Sequence, residues 1–486
     1  MAKLFIFGIG GTGSRVIRAF TMLMAAGVKI QNCDKIVPII IDPDSQNGDM
    51  NRTVELLKTY KRIHNHLGSR PEGFFHQDIS TLASVAGRTD GNIPDSFVYN
   101  FSGKNKSFRE FINYTQLSVD SKALVDLLFT DENLSNSLDV GFRGSPNVGS
   151  VVLNDIMNSD LIRYFATNFQ QGDRVFFISS IFGGTGAAGF PLLLKNFRDP
   201  NSGLPNSGYL NHALMGAITV LPYFSLEQPA TDGNPEAQDF IDSNTFITKT
   251  KAALSYYQNN LQSLNALYYI GDTPEKPLEN HPGRAAQQNE AHLIELLSAL
   301  AIVDFMDYSP DQLQGEMHFH EYGLKEDAKN IHFSHLGTES KDKIARDLIR
   351  FNYFDQYFTE HAPQDTDAPY FKATNLGSAM RNEAVFKELQ QFLRSPQYGF
   401  HAWLKELRQN KRTFEAINPE EKDFNRMVAD KTIESSFFDS GLKPKTILKE
   451  IGNLNIKETE PDTFKRVIKI FEGATKNMVE EKLKYQ

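Results

Sequence analysis

The first half of the chain alternates between short apolar runs and segments with helical spacing. Continuous apolar runs predict strands that are covered on both faces, which is typical of a parallel sheet. Helical spacing follows the first run over Ser14–Ala26 and the third over Pro191–Phe197. The pattern predicts an α/β fold with a parallel, Rossmann-like sheet. Its predicted strands are Lys3–Phe7, Ile36–Ile41, Arg174–Ser179, Ala213–Leu221 and Ala266–Ile270.

Beyond residue 310 the pattern changes to amphipathic, phenylalanine-rich stretches. A long helix that is apolar over most of its surface is predicted just before this change, over Ala285–Met306, and such a helix is typically buried between layers. We therefore predict an α/β domain over residues 1–310, including the core helix 285–306, and a mainly helical domain over 311–486. The amphipathic stretches are Lys343–Thr359, Glu383–Leu393, Phe400–Gln409 and Phe464–Tyr485, with a strand pattern at Asn330–Phe333.

Composition narrows the possible environments and partners. The 51 Lys and Arg residues against 60 Asp and Glu residues give a net charge of −9, which argues against a broad surface for nucleic acid or anionic membranes. One cysteine, Cys33, excludes an internal disulfide framework and suits a reducing compartment. No apolar segment approaches the roughly 20 residues of a membrane span. We expect a soluble, cytoplasmic protein without direct nucleic-acid or membrane contacts.

Two glycine-rich loops each stand between a predicted strand and a predicted helix. Glycines let the backbone approach a phosphate closely, and a helix N-terminus offers unpaired N–H groups. The first loop alone fits a dinucleotide fingerprint, with Asp42 or Asp44 as the ribose acid, so a Rossmann NAD(P)-dependent enzyme is one interpretation. The second loop instead favours a polyphosphate held between two helix N-termini, and neither loop contains the Gly-Lys-Ser/Thr of a P-loop. The loops are Gly8-Ile9-Gly10-Gly11-Thr12-Gly13 and Phe182-Gly183-Gly184-Thr185-Gly186-Ala187-Ala188-Gly189.

These loops and further segments resemble, in the same order along the chain, the tubulin/FtsZ superfamily of nucleotide-binding proteins. Phe182–Gly189 is similar to the GGGTG[ST]G signature, although phenylalanine replaces its first glycine and alanine its Ser/Thr. Gly8–Gly13 is similar to the first phosphate loop, and Asp42 to the acid of the NTDxQ segment. Gly141–Gly149 resembles the γ-phosphate loop, and Ala217–Ser225 the strand that follows. Residues 289–305 also resemble bacterial tubulin-like proteins outside cell division.

The resemblance implies GTP or GDP with Mg²⁺, held mainly by backbone N–H groups. It implies a GTPase that acts through self-association into filaments or oligomers, or through a protein partner bound by the helical domain. A nucleotide-bound scaffold without turnover is a further interpretation. Arg143 either neutralises the γ-phosphate or lies in solvent. The implied nucleotide-binding residues are Gly10, Gly11, Thr12, Gly13, Asp42, Arg143, Gly144, Ser145, Asn147, Gly183, Gly184, Thr185 and Gly186, with Asp272 and Asn289 near the base.

Asp304 and Asp307 are the implied catalytic residues, because Val303–Asp307 resembles the FtsZ segment whose acid positions water in a neighbouring subunit. Asp311 is a further candidate. The scaffold interpretation is favoured if both aspartates lie inside the helix. The sequence departs from the family at Asp272, which stands where an asparagine reads the base, so guanine and adenine both stay open. The mainly helical second half also leaves polymerisation open.

Paired histidines do not complete a metal site in the sequence. His318 and His320 fall on one side of a strand, with Glu321 next, and His64 and His66 repeat the spacing. A metal centre needs at least a third ligand at suitable spacing. We predict no protein-built metal site.

Overall fold

The computed structural model describes residues 2–86, 93–101, 105–142, 144–227, 243–273, 277–278, 284–323, 328–365, 367–429, 441–455 and 459–485. Its strands are β1 Lys3–Ile9, β2 Lys35–Ile41, β3 Asp78–Ile79, β4 Val98–Tyr99, β5 Arg174–Ser180, β6 Leu214–Val220, β7 Ser225–Leu226, β8 Ala266–Gly271, β9 Pro277–Leu278, β10 His318–Gly323, β11 Asn330–Ile331 and β12 Thr413–Phe414. Eight of them form one sheet in the order β10-β8-β6-β5-β1-β2-β3, with β4 also paired to β2. Every pairing in this sheet is parallel.

The sheet confirms the predicted α/β class, and its strand order positions the glycine loops. β1 lies between β2 and β5, so the chain runs outward on one side of β1 and then returns to the other side. In an open parallel sheet, ligands bind outside the carboxyl ends of the strands at this point of reversal. Both predicted glycine loops leave from it, one after β1 and one after β5.

The helices flank both faces of the sheet in the first half and dominate the second half, as predicted. None of the described helices combines the length and apolarity needed to cross a bilayer. The α-helices of the described residues are α1 Gly10–Ala26, α2 Gly48–Leu67, α3 Leu82–Ala86, α4 Phe108–Phe111, α5 Val119–Leu128, α6 Asp131–Ser135, α7 Pro146–Leu153, α8 Asp160–Asn168, α9 Gly184–Arg198, α10 Ser207–Leu210, α11 Phe246–Asn260, α12 Leu293–Asp307, α13 Thr338–Gln356, α14 Pro369–Thr374, α15 Leu376–Asn382, α16 Ala384–Arg394, α17 Phe400–Leu407, α18 Pro444–Asn455 and α19 Thr463–Met478.

Continuous burial of the strands explains their unbroken apolar runs. Phe7 and Phe177 pack together with ring centroids 5.7 Å apart, on the face that α8 and α9 cover. Phe176 lies on the other face, 5.4 Å from Phe305 of α12. Each face therefore has its own layer of helices, and the apolar residues of neighbouring strand positions are all buried.

The core helix is shorter than the sequence predicts. It begins at Leu293 rather than Ala285, because His292 caps it: the His292 Nδ1 accepts a hydrogen bond from the N–H of Ile294 at 3.1 Å. The residues before this cap are held by Asp49 of α2, whose N–H donates to the Gln287 carbonyl at 2.9 Å. A long-range contact therefore replaces the first two turns of the predicted helix.

The two halves of the chain share an aromatic core. Phe74 stacks on Phe354 of α13 with centroids 5.2 Å apart, and Phe75 meets Phe392 of α16 edge to face at 4.9 Å. Helices of the second half thus cover α1 and α2 of the first. The division at residue 310 stays a prediction.

Candidate nucleotide-binding site

The first glycine loop is tight because of its glycines, and it lies against the second loop. Gly10 has a φ of +75°, which favours glycine, and a Cβ added to it would lie 3.4 Å from the Thr185 Cβ. A Cβ on Gly13 would lie only 2.5 Å from the carbonyl carbon of Gly8. The sequence Gly-x-Gly-x-x-Gly therefore closes a turn that side chains would block, and it brings the start of α1 to the start of α9.

The third loop of the predicted site meets the second. A Cβ on Gly184 would lie 3.1 Å from the backbone nitrogens of both Gly144 and Ser145. The loop is held by Lys249 of α11, whose Nζ donates to the Gly144 carbonyl at 2.8 Å. Asn133 donates to the Ser145 hydroxyl at 3.3 Å. All three predicted loops are therefore in contact, although Arg143 lies outside the described residues.

Three helices begin where these loops meet: α1, α7 and α9. Their N-cap residues are Ile9, Ser145 and Gly183, and none of the three caps its helix through a side-chain hydrogen bond. No side chain therefore caps the first-turn N–H groups of these helices, although Pro146 at the start of α7 carries none. The positive ends of three helix dipoles point to one place. Such an arrangement favours an anion with several oxygens, as a polyphosphate is.

Most of the predicted phosphate-contacting residues line this junction. Thr12 is 7% exposed, and Asn147 at the start of α7 is exposed. A Cβ on Gly11 would lie 3.9 Å from the Asn47 side-chain nitrogen at the start of α2. The predicted set Gly10, Gly11, Thr12, Gly13, Gly144, Ser145, Asn147, Gly183, Gly184, Thr185 and Gly186 therefore occupies one edge of the sheet.

Asp42 directly follows β2, beside the first loop, because Ile41 pairs with Ile9 across the two strands. Its Oδ1 accepts a hydrogen bond from the Asp44 N–H at 3.0 Å. Burial raises the pKa of the Asp42 carboxyl to about 7, and the charges of Asp44 and Asp49 add to the rise. In its protonated form this side chain can donate a hydrogen bond to a ligand oxygen.

The two predicted base-contacting residues are held by partners within the chain. Asp272 pairs with Arg412, and both side chains are 6% exposed. The Asn289 N–H donates to Asp49 at 3.1 Å, and its carbonyl accepts from Arg52. Both residues line a polar pocket, which also includes Arg15, Phe224, His292 and the segment 409–412. The sequence did not predict these partners.

A buried ionic cluster lies behind the first loop, and sequence reasoning missed it. Arg15 donates to Glu295 at 2.6 Å, to Asp49 at 3.1 Å and to the Tyr223 hydroxyl at 2.5 Å. The side chain of Asp49 is fully buried. Two arginines in the otherwise apolar stretch after the glycine loop were the available signal, since buried arginines need carboxylate partners. The cluster consists of Arg15, Arg18, Arg52, Asp49, Glu295 and Glu406.

Asp304 and Asp307 lie far from the glycine loops. Both belong to the last turn of α12, and Lys343 of α13 pairs with them at 3.0 and 2.8 Å. The neighbouring Phe305 carbonyl accepts from Arg174, the first residue of β5, so this end of α12 is at the amino edge of the sheet. A seven-residue strand spans about 23 Å. The two aspartates therefore do not face phosphates bound at the opposite edge of the same chain.

The histidine pair on β10 is engaged in ring packing. His320 stacks on Tyr268 with centroids 4.5 Å apart, and the Tyr308 hydroxyl lies 3.3 Å from its Nε2. Across the part of the chain that the structure describes, no group of three or more His, Cys, Asp or Glu residues is arranged to hold a metal ion.

Comparison with known proteins adds only distant structural likenesses. No protein-family model and no curated protein matches the chain. One is the structure of CetZ2 from Haloferax volcanii as a GTPgS-bound protofilament. The match covers 63% of this chain and 58% of the CetZ2 chain, with 11% sequence identity and a TM-score of 0.28. Another is CetZ from Methanosaeta thermophila. This match covers 63% of this chain and 52% of the CetZ chain, with 11% sequence identity and a TM-score of 0.22. The chain thus spans less than two thirds of each matched structure. Both have the tubulin/FtsZ fold, and TM-scores this low assign neither ligand nor activity to this chain.

Proposed function

We propose that this chain is a tubulin/FtsZ-like GTP-binding protein that associates with copies of itself or with a partner according to the bound nucleotide. The observation that carries the proposal is the junction of α1, α7 and α9, where three uncapped helix N-termini and three glycine loops meet. We propose a guanine nucleotide because five segments of the sequence resemble those of the tubulin/FtsZ superfamily and follow the same order. A dinucleotide enzyme would not need the third loop.

The binding mechanism follows from the groups at this junction. First-turn N–H groups of the three helices donate to phosphate oxygens, and the Thr185 hydroxyl adds a donor. Asp42 beside the first loop donates to a ligand oxygen while it is protonated. Such a site needs little help from lysines, so a chain with a net charge of −9 can still hold a polyanion.

Magnesium fits this donor set as an ion shared with the phosphates. Mg²⁺ favours phosphate oxygens and water together with one or two protein oxygens. The hydroxyls of Thr12 and Thr185 are the side-chain oxygens that would hold it. When bound, the ion would neutralise part of the phosphate charge.

A specific observation favours a second candidate, a nucleotide-bound scaffold without turnover in the isolated chain. Asp304 and Asp307 lie inside α12 and are paired with Lys343. Hydrolysis through these residues would require the amino edge of the sheet in a second copy to approach the phosphates of the first. The two aspartates of that second copy would also have to separate from Lys343. We propose the second half as the surface that binds a partner.

One set of measurements tests these alternatives. The purified chain is incubated with GTP, ATP, GDP or NAD with Mg²⁺, and binding, phosphate release and light scattering are recorded together. Binding of GTP with release and scattering supports a GTPase that self-associates. Binding of GTP without either supports the scaffold. Binding of NAD with no triphosphate binding would contradict the proposed function.

A further inference from the structure

Glu406 of α17 reaches from the second half of the chain into the buried ionic cluster. Its Oε2 accepts hydrogen bonds from Arg18 at 2.7 Å and from the N–H of Ala291 at 2.8 Å. Its Oε1 accepts from Arg18 at 3.0 Å and from Arg52 at 3.3 Å. The Glu406 side chain is 14% exposed. One carboxylate therefore bonds to α1, to α2 and to the segment that leads into α12.

These three elements border the candidate site. α1 begins at Gly10 of the first glycine loop, and α2 begins one residue after Asn47, which faces Gly11. The segment before α12 contains Asn289, and its Ala291 carbonyl accepts from Asn410 at 2.7 Å. Glu406 consequently fixes the positions of elements that carry the phosphate loop and line the polar pocket.

Charge balance also depends on Glu406. The buried ionic cluster holds three arginines and three carboxylates, so it is neutral only when Glu406 is counted. Arg18 and Arg52 have side chains 2% and 9% exposed, and both pair with Glu406. Removal of one partner from a buried ion pair leaves an uncompensated charge, which is strongly unfavourable.

We propose that Glu406 is a positioning residue of the nucleotide site, through which GTP binding depends on the docking of α17 against α1 and α2. The inference rests on the proposed GTP binding. Nucleotide binding and the docking of the second half are then coupled, and by linkage each strengthens the other.

The direction of the effect separates positioning from simple electrostatics. Glu406→Gln removes one negative charge near a site for an anion, so charge alone would strengthen GTP binding. If Glu406 served only stability, its replacement would lower the unfolding temperature and leave the GTP affinity unchanged. Loss of the positioning contacts weakens binding instead, because Arg18 of α1 and Arg52 of α2 no longer share one carboxylate, and the elements beside the site lose a contact that positions them.

The test compares Glu406→Gln with Glu420→Gln in the full chain. Glu420 pairs with Lys405 at 2.8 Å, and its side chain is 57% exposed, so it is a matched surface control. GTP affinity is measured by titration calorimetry at a temperature where circular dichroism shows both variants folded. We expect about a tenfold loss for Glu406→Gln and wild-type affinity for the control. Unchanged or stronger binding in Glu406→Gln would overturn the proposal.

A second variant covers the case in which Glu406→Gln does not fold. Glu406→Asp keeps the charge but shortens the side chain, so it cannot keep all four hydrogen bonds. We expect it to weaken GTP binding severalfold, and wild-type affinity in this variant would overturn the positioning role. Failure of the proposed function is recognised separately, because the wild-type chain itself would then bind no GTP.

Discussion

Arg412 and Asp272 form a two-pronged ion pair across the two halves of the chain. The Arg412 Nε lies 2.6 Å from the Asp272 Oδ2, and its Nη2 lies 2.9 Å from Oδ1. Arg412 therefore binds the Asp272 carboxylate, which the sequence predicts to contact the base. The second half therefore forms one wall of the polar pocket.

Loss of Arg412 should destabilise the fold. Arg412→Met leaves the Asp272 carboxylate buried without its cation, and we expect the free energy of unfolding to fall by about 3–5 kcal/mol in urea titrations. Arg412→Met with Asp272→Asn should recover much of this loss. As a control, Arg426→Met removes an arginine that is 72% exposed and pairs with Asp423, so it should cost about 0–1 kcal/mol. Equal losses for the two arginines would contradict the role of the buried pair.

Gly184→Ala should close the phosphate site. The new Cβ would lie 3.1 Å from the backbone nitrogens of both Gly144 and Ser145, so the second and third loops would have to move apart. We expect about a 100-fold loss of GTP affinity, because the displaced loops no longer place their hydrogen-bond donors on the charged phosphates. Gly208→Ala is the control, because a Cβ there meets nothing within 4 Å. The loop assignment is wrong if both variants bind GTP equally in calorimetry.

Asp42→Asn should change how stability depends on pH. The Asp42 pKa is raised from 3.8 to about 7 in the folded chain, mainly by burial, so the folded state binds more protons than the unfolded state between these values. The contribution of Asp42 to stability therefore falls as pH rises through this window. Asp42→Asn should match the wild type below about pH 4 and exceed its stability above pH 7.

The control for this experiment is Asp367→Asn, because Asp367 is 95% exposed. Urea titrations at several pH values should show no comparable difference between it and the wild type. If the stability gap between Asp42→Asn and the wild type stays constant from pH 4 to 8, the raised pKa is contradicted.

Lys343→Met should expose the repulsion between Asp304 and Asp307. Burial alone would lower the Lys343 pKa, but the two carboxylates outweigh it and raise this pKa. We expect a loss of about 1 kcal/mol in the free energy of unfolding at pH 7, measured in urea titrations. Lys58→Met, which breaks an exposed pair with Glu55, should have a smaller effect. Faster phosphate release by Lys343→Met at high protein concentration would support a catalytic role for the freed aspartates.

Local patterns in the sequence predicted the sheet and its loops well. Runs such as Ile36–Ile41 are buried on both faces, and the structure extends this one to Lys35–Ile41. The glycines of the two loops also indicated tight turns, and the structure has turns in which positions such as Gly13 leave no room for a side chain. These features depend on residues near one another in the chain, and so they are visible in a single sequence.

The contacts that complete the site are not visible in this way. The core helix failed to start at Ala285 because Asp49, more than 200 residues earlier, holds Asn289 in place. Glu406 in an amphipathic helix has the pattern of a solvent-facing residue, yet it pairs with Arg18. Neither partner could be chosen from spacing alone, since the pairing depends on how the two halves pack.

The pairing of Arg18 with Glu406 has a consequence for synthesis on the ribosome. The two residues are 388 positions apart, and translation adds about 5–20 residues per second. Arg18 therefore waits roughly 20–80 s for this carboxylate to be made. The first half cannot complete its buried charges before α17 has been made, so its final packing follows the emergence of α17 rather than preceding it.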